Sequence, residues 1–256
     1  MSLKGKVAIV SGSSSGIGAA IAQELSSRGA HIVVNYPTYE QRAQAESVLQ
    51  SLSGPTSTMV EADLSSLQGP MNLVMATVAE FGRIDILVNN AAVMGPSALD
   101  ASSTTDLLQL WDAMINVNCR GTMLLTREVL KHLSPSHSRI INICSSTSRD
   151  PDPNMTFYAG TKGMIESFTR CWAKDLPRKY GCTVNAIAPG PTATQAMLST
   201  PPVFQAIIKD RTDRTPVAPR LGKPEEIAWT VAMLCEEKAG WLNGLYIPVA
   251  GGGLFV

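Results

Sequence analysis

The chain carries no excess charge of either sign: 21 Lys and Arg balance 21 Asp and Glu over 256 residues, a formal net charge of zero. A nucleic-acid binder needs a basic footprint, so that class is excluded and a small neutral molecule or a nucleotide is the easier partner. Histidine is scarce. His31, His132 and His137 are the whole set, too few and too scattered to assign a metal site. Cys119, Cys144, Cys171, Cys182 and Cys235 form no Cys-x-x-Cys, which fits reduced thiols in a cytoplasmic protein and no disulfide. No apolar run approaches the roughly 18 residues that a membrane span needs. The opening Met1 to Lys6 leads into a short strand and not a signal segment. With apolar residues at 45%, one large core can form, and no composition shift marks a linker, so residues 1–256 are read as a single domain.

Short β-branched runs alternate with helical patterns along the chain, which predicts an α/β fold with a parallel sheet covered by helices. Strands are expected near Val7 to Val10, Ile32 to Asn35, Ser57 to Glu61, Ile84 to Asn89, Arg139 to Ile143, Thr183 to Ala188 and Tyr246 to Val249. The stretch from about residue 195 to 220 is polar, proline-containing and weakly periodic. It follows the sixth strand at the carboxyl edge of the sheet, where open α/β sheets bind ligands, and so it reads as a lid over a substrate.

The first strand opens into Ser11, Gly12, Ser13, Ser14, Ser15, Gly16, Ile17 and Gly18, followed by a helical run to Arg28. Glycine lets the backbone turn tightly and approach a pyrophosphate, and a helix N-terminus offers free N–H groups and partial positive charge. The loop is therefore a candidate anion site.

Further on, Tyr158 and Lys162 lie four residues apart, and Ser145 precedes the tyrosine by 13. Residues four apart share a helix face, so the ammonium of Lys162 can sit beside the phenol of Tyr158. A neighbouring positive charge favours the phenolate, and such a phenol can act as acid or base on a carbonyl or alcohol. Alone, Tyr-x-x-x-Lys arises by chance in roughly one chain in two or three of this length.

The spacing Gly-x-x-x-Gly-x-Gly resembles that of the short-chain dehydrogenase/reductase family, and the resemblance continues in order across nearly the whole chain. It takes in Asn89-Asn90-Ala91-Ala92, Asn116 to Gly121, Ser145, Tyr158 with Lys162, Pro189-Gly190 followed by Thr194, and Gly251-Gly252. The resemblance implies a Rossmann-type, doubly wound sheet of seven parallel strands with helices on both faces. It also implies a nicotinamide-dependent oxidoreductase acting on a carbonyl, alcohol or imine, commonly a homotetramer built on two long helices, here about 106–133 and 158–178. Tyr158 would donate a proton to the substrate oxygen, Lys162 would assist it and hold the nicotinamide ribose, Ser145 would bond the developing alkoxide, and Asn118 would anchor a water on the proton path. Cofactor contacts would come from Gly12, Ser14, Ser15, Gly16, Ile17 and Gly18, from Asn90 and Ala91, and from Pro189, Gly190, Thr192 and Thr194 at the carboxamide. Asp63 with Leu64, after the third strand, would meet the adenine; a helix N-cap is the other reading of Asp63.

The second strand bears on which nicotinamide is used. NAD-binding folds place an acid about 20 residues after the glycine loop, where it would repel a 2′-phosphate. Tyr36 stands there instead. Hydroxyls of Tyr36 or Thr38, with Arg42 nearby, favour NADP(H) over NAD(H), although Ser15 is not the basic residue that NADP-preferring relatives often carry.

Three departures from the family pattern are visible. Ser11 replaces a threonine and keeps the hydroxyl. Ala92 replaces a glycine, which would cost on the order of 1 kcal/mol if positive φ were needed. Ala250 replaces an aspartate. Between Ser145 and Tyr158, Asp150 and Asp152 flank Pro151. If either faces the substrate, an amine-bearing or iminium substrate is favoured; otherwise the stretch is a solvated loop. Trp111, Met155, Phe157, Met197, Phe204 and Ile207 are candidates for an apolar pocket, or for core. Outside catalysis, a nucleotide-sensing regulator remains as a second class.

Overall fold

The computed structural model describes residues 2–100, 103–200 and 202–255. Strand β1 (Val7–Val10) is four apolar residues in a row, all buried, as a strand covered on both faces must be. It leads through the glycine loop into α1 (Gly16–Ser27), β2 (His31–Tyr36), a 3₁₀ turn at Tyr39–Gln41 and α2 (Arg42–Ser51). Then follow β3 (Thr58–Glu61), α3 (Gly69–Phe81) and β4 (Ile86–Asn89). Helices α4 (Thr104–Met114) and α5 (Thr122–Leu130) run on from one another through a π-helical turn, Ile115–Gly121. After β5 (Ser138–Ile143) come α6 (Thr156–Asp175), the short α7 (Pro177–Tyr180) and β6 (Cys182–Pro189). The chain closes with α8 (Gln195–Leu198), α9 (Pro202–Asp213), α10 (Pro224–Cys235) and β7 (Tyr246–Val249).

The seven strands form one parallel sheet in the order β3-β2-β1-β4-β5-β6-β7. Alternate residues of each strand point to opposite faces. Val10, Val34, Val88, Ile141 and Ile187 join α1, α2 and α10 in one apolar cluster. Ile9, Val33, Leu87, Ile140 and Val184 join α3, α5 and α6 in the other. The doubly wound sheet expected from the sequence is what forms.

Two expectations are corrected. The fourth strand begins at Ile86 and not at Ile84, which makes only an isolated bridge to Leu133. Between them Asp85 turns its carboxylate onto the N–H of Val7, at 2.9 Å, and so ties the strand entrances together. The segment read as weakly periodic is largely helical. Thr194 caps α8, accepting the N–H of Met197 on its hydroxyl at 3.2 Å, and α9 follows.

Arg139 is a charged residue deep in the core, 2% exposed. Its guanidinium donates to the carbonyls of Ser138, Leu234 and Glu236 at 2.9, 3.2 and 2.9 Å. It thereby satisfies the orphan carbonyls where α10 ends.

Candidate active site

The strand order reverses direction between β1 and β4, and a doubly wound sheet opens a crevice at that point, beyond the strand ends. The glycine loop lies there and is packed too closely for side chains. A Cβ on Gly12, at φ +60°, would come within 2.8 Å of Ala91 Cα, and one on Gly18 within 2.4 Å of the Gly12 carbonyl. Asn90 donates its side-chain amide to the carbonyls of Ser11 and Gly12 at 2.9 and 3.0 Å. The Ser11 hydroxyl accepts the N–H groups of Asn90 and Ala91 at 2.9 and 3.0 Å, so the serine does what the family's threonine hydroxyl offers. Ser15, at the N-cap of α1, makes no side-chain cap, which leaves the first helical N–H groups directed at the crevice. A narrow glycine cradle and an uncapped helix start fit a pyrophosphate.

At the end of β2 the sequence reading needs correction. Tyr36 is 3% exposed and belongs to the same apolar cluster as Ala45 and Val48, so its ring is core. Burial raises its hydroxyl above the ordinary tyrosine value. Thr38 lies beside the exposed Glu40 and holds its carboxyl below the usual range. Arg42 is half exposed and pairs with Glu46 at 2.9 Å. Gln41, which the sequence reading passed over, accepts the Ser14 hydroxyl at 2.9 Å and so links this turn to the glycine loop. Asp63 is not a helix cap, since α3 starts six residues later; its carboxylate accepts the N–H and hydroxyl of Ser65 at 2.8 and 2.7 Å. Leu64 is buried, and its carbonyl lies 2.5 Å from where a Cβ on Gly121 would stand.

Ser145, Tyr158 and Lys162 converge on one cavity of about 530 Å³. Ser145 follows β5, and its hydroxyl donates to Thr147 Oγ1 at 2.9 Å while accepting the Thr147 N–H at 3.2 Å. Tyr158 and Lys162 share a face of α6, and the lysine Nζ is 5.7 Å from the tyrosine ring centre. Lys162 is 3% exposed and donates to the carbonyl of Ile143 at 2.8 Å, leaving two of its three N–H groups for other partners. Asn118, 1% exposed, lies in the π-helical turn, a device common at functional sites. Its amide accepts the N–H of Val93 at 2.8 Å and donates to the Val93 carbonyl and Thr161 hydroxyl at 2.9 and 3.1 Å. Both of its N–H groups are thus engaged in tying the β4–α4 loop to α6.

The opposite wall is the turn after β6. Pro189, Gly190, Thr192 and Thr194 line the same cavity with Ile17 and Asn90. Thr194 Cγ2 stands 3.3 Å from the Cβ position of Gly16, so this turn and the glycine loop meet. Helices α8 and α9 supply Met197, Phe204 and Ile207 to the apolar lining, which Met94 and Met155 join. Trp111 and Phe157 instead pack edge to face at 5.4 Å and do not line it.

Asp152 lines the cavity and Asp150 does not. Neither is a free charge, because Arg211 of α9 bonds the Asp152 carboxylate and lies 3.1 Å from that of Asp150. Thr147 and Arg211 carried no signal in the sequence, since their partners are chosen by the fold. Among the described residues no cluster of His, Cys, Asp and Glu could hold a metal, and no helix is long and apolar enough to cross a membrane.

Known proteins share this architecture along its full length. A family model described as enoyl-(acyl carrier protein) reductase matches residues 12–253. The chain is 40% identical over 255 residues to the short-chain dehydrogenase/reductase FrzI of a Cladobotryum species, covering 98% of this chain and 96% of that protein. A short-chain dehydrogenase from Burkholderia cenocepacia, solved in complex with NADP, superposes with a TM-score of 0.88 at 31% identity over 99% of both chains. The angucycline C-6 ketoreductase LanV, solved with bound NADP, gives 0.88 at 30% identity over 99% of this chain and 97% of its own. Matched from its glycine cradle nearly to its last residue, in sequence and in backbone alike, the chain belongs to the short-chain dehydrogenase/reductase family.

Proposed function

We propose that this oxidoreductase is an NADP(H)-dependent carbonyl reductase, or alcohol dehydrogenase in the reverse sense, with Tyr158 as its general acid and base. The observation that carries the reading is the single cavity whose walls include Ser145, Tyr158 and Lys162 on one side and Ile17 with the Pro189 to Thr194 turn on the other. The nicotinamide, when bound, supplies or accepts the hydride. Tyr158 gives its proton to the carbonyl oxygen. The Ser145 hydroxyl, turned away from Thr147, bonds the developing alkoxide, a donor role whose loss costs about 10²- to 10³-fold elsewhere. Lys162, anchored by the Ile143 carbonyl, directs its remaining N–H groups to the tyrosine and the ribose.

Preference for NADP(H) is supported by the lack of an acid at the end of β2 and by the half-exposed Arg42 beside the Ser14–Gln41 contact. With Tyr36 in the core, a 2′-phosphate falls to Arg42 and Ser14, with Thr38 beside them. The apolar lining suits a bulky ketone. Arg211 pairs with Asp152, the acid in the cavity that an iminium substrate would need, and Ser145, Tyr158 and Lys162 are all present, so neither an imine reductase nor a nucleotide sensor is favoured. The proposal includes a cytoplasmic homotetramer packed on α4, α5 and α6, whose Leu108, Met123 and Met164 are exposed. Light scattering at four chain masses is the expected result.

The test is titration of wild type and Tyr158→Phe with NADPH and NADH by nicotinamide fluorescence, followed by a ketone screen with the mutant as blank. NADPH should bind both proteins at least about tenfold more tightly than NADH, a difference of about 1.4 kcal/mol. No binding of either cofactor would end the reading.

A further inference from the structure

The main-chain carbonyl of Ser145 collects three donors. The N–H of Ser148 reaches it at 3.1 Å, the Ser148 hydroxyl at 2.9 Å and the Tyr246 hydroxyl at 2.8 Å. The two hydroxyl oxygens are also 3.0 Å apart, and Ser148 Oγ is 3.3 Å from Glu166 Oε2. Each hydroxyl has one hydrogen to give. Ser148 therefore has three acceptors for one O–H, and the carboxylate among them is the strongest. That leaves Tyr246 as the side-chain donor committed to the Ser145 carbonyl. Burial pushes the Tyr246 hydroxyl up to about 12, which keeps it protonated.

Tyr246 is itself braced. The Arg149 guanidinium lies 4.1 Å over its ring centre and donates to Glu166 Oε1 at 2.8 and 3.2 Å. Glu166 is 8% exposed and sits one helical turn after Lys162 on α6. Strand β7 and helix α6 are thus both tied to the Ser145 turn by groups that do not line the substrate cavity.

We propose that Tyr246 is a positioning residue: its O–H, held on the Ser145 carbonyl, fixes the turn so that Ser145 Oγ meets the reacting oxygen, without touching substrate or cofactor. The inference rests on the carbonyl-reductase reading above. A misplacement of about 1 Å costs roughly 10²-fold in rate, so a smaller shift of the turn is enough to matter.

Tyr246→Phe keeps the ring beneath Arg149 and removes only the hydroxyl. Reduction of 2-tetralone, an apolar bicyclic ketone, is measured with NADPH on wild type, Tyr246→Phe and Tyr158→Phe, alongside NADPH affinity and thermal midpoint. The expected result is a kcat lowered about tenfold, with KM for the ketone and NADPH affinity within about twofold of wild type. Unchanged kcat in a folded Tyr246→Phe overturns the proposal, as does a loss shared equally by kcat, cofactor affinity and thermal midpoint. Should that variant not fold, Arg149→Met, which removes the cation that braces the Tyr246 ring, takes its place, and the same split between kcat and KM decides. Wild type no faster than Tyr158→Phe would instead sink the reductase reading, and this inference with it.

Discussion

Arg211 of α9 closes onto Asp152 of the loop between Ser145 and Tyr158, and its Nη2 also bonds the Asp150 carbonyl at 2.7 Å. One guanidinium thus holds two carboxylates, and Asp152, the acid that lines the cavity, is paired there with Arg211. Arg211→Ala should raise KM for neutral ketones several-fold and shift preference toward cationic ones, because Asp152 is left facing the cavity uncompensated. Asp152→Asn should weaken neutral ketones less than Arg211→Ala does. Steady-state kinetics on a neutral and an amine-bearing ketone measure both. Equal effects of Arg211→Ala on the two substrates would rule out the clamp.

Gly12 of the cofactor loop has no room for a side chain. Its φ of +60° and a Cβ position 2.8 Å from Ala91 Cα add backbone strain to a clash with main chain. Gly12→Ala should destabilise the protein by about 1–3 kcal/mol and weaken NADPH binding by at least tenfold. Urea unfolding and fluorescence titration report the two effects separately. An alanine variant with wild-type stability would show that the loop relaxes freely.

The contrast between what was legible and what was not follows from sequence distance. Tyr158 and Lys162 are four apart and the glycines span seven residues, so local geometry alone brings their groups together. The alternation of β-branched runs with helical patterns announced a parallel sheet covered by helices for the same reason, while its doubly wound order came from the family resemblance. Tyr246 meets Ser145 across 101 positions and Arg211 meets Asp152 across 59, contacts that no spacing rule announces. Tyr36 misled because its hydroxyl suggested recognition, while its place in the β2 alternation put the ring in the core with Val34. Ala92 was suspect only if positive φ were required there. Among the described non-glycine residues only His137 and Asn154 take positive φ, so that cost does not arise.

Arg139 should be sensitive to loss of its donors. Arg139→Met keeps length and apolar bulk but leaves the carbonyls of Leu234 and Glu236 without their partner, at roughly 1–3 kcal/mol for each buried acceptor. A fall of about 3 kcal/mol in unfolding free energy is expected, with specific activity of the folded fraction unchanged. Wild-type stability in Arg139→Met would mean that the end of α10 finds other donors.

The strand entrances carry a pH dependence whose direction is set by Asp85. Burial opposes its charge, but the N–H of Val7, the Ser134 hydroxyl, Lys6 and Arg83 outweigh it and hold the carboxyl below the usual aspartate value. A carboxyl lower in the folded than in the unfolded chain contributes its stability in full above the unfolded value, and loses it as pH falls through the folded one. Asp85→Asn should therefore cost about 2 kcal/mol at pH 7, in keeping with hydrogen bonds to a charged group whose cationic partners are partly exposed. That gap to wild type should stay constant down to about pH 5 and narrow below about pH 4, where the aspartate of the unfolded chain takes up its proton. Urea unfolding of both proteins across this range measures it. A gap of one size at every pH would show that Asp85 acts by shape and not by charge, and the tie between β1 and β4 would then owe nothing to Lys6 or Arg83.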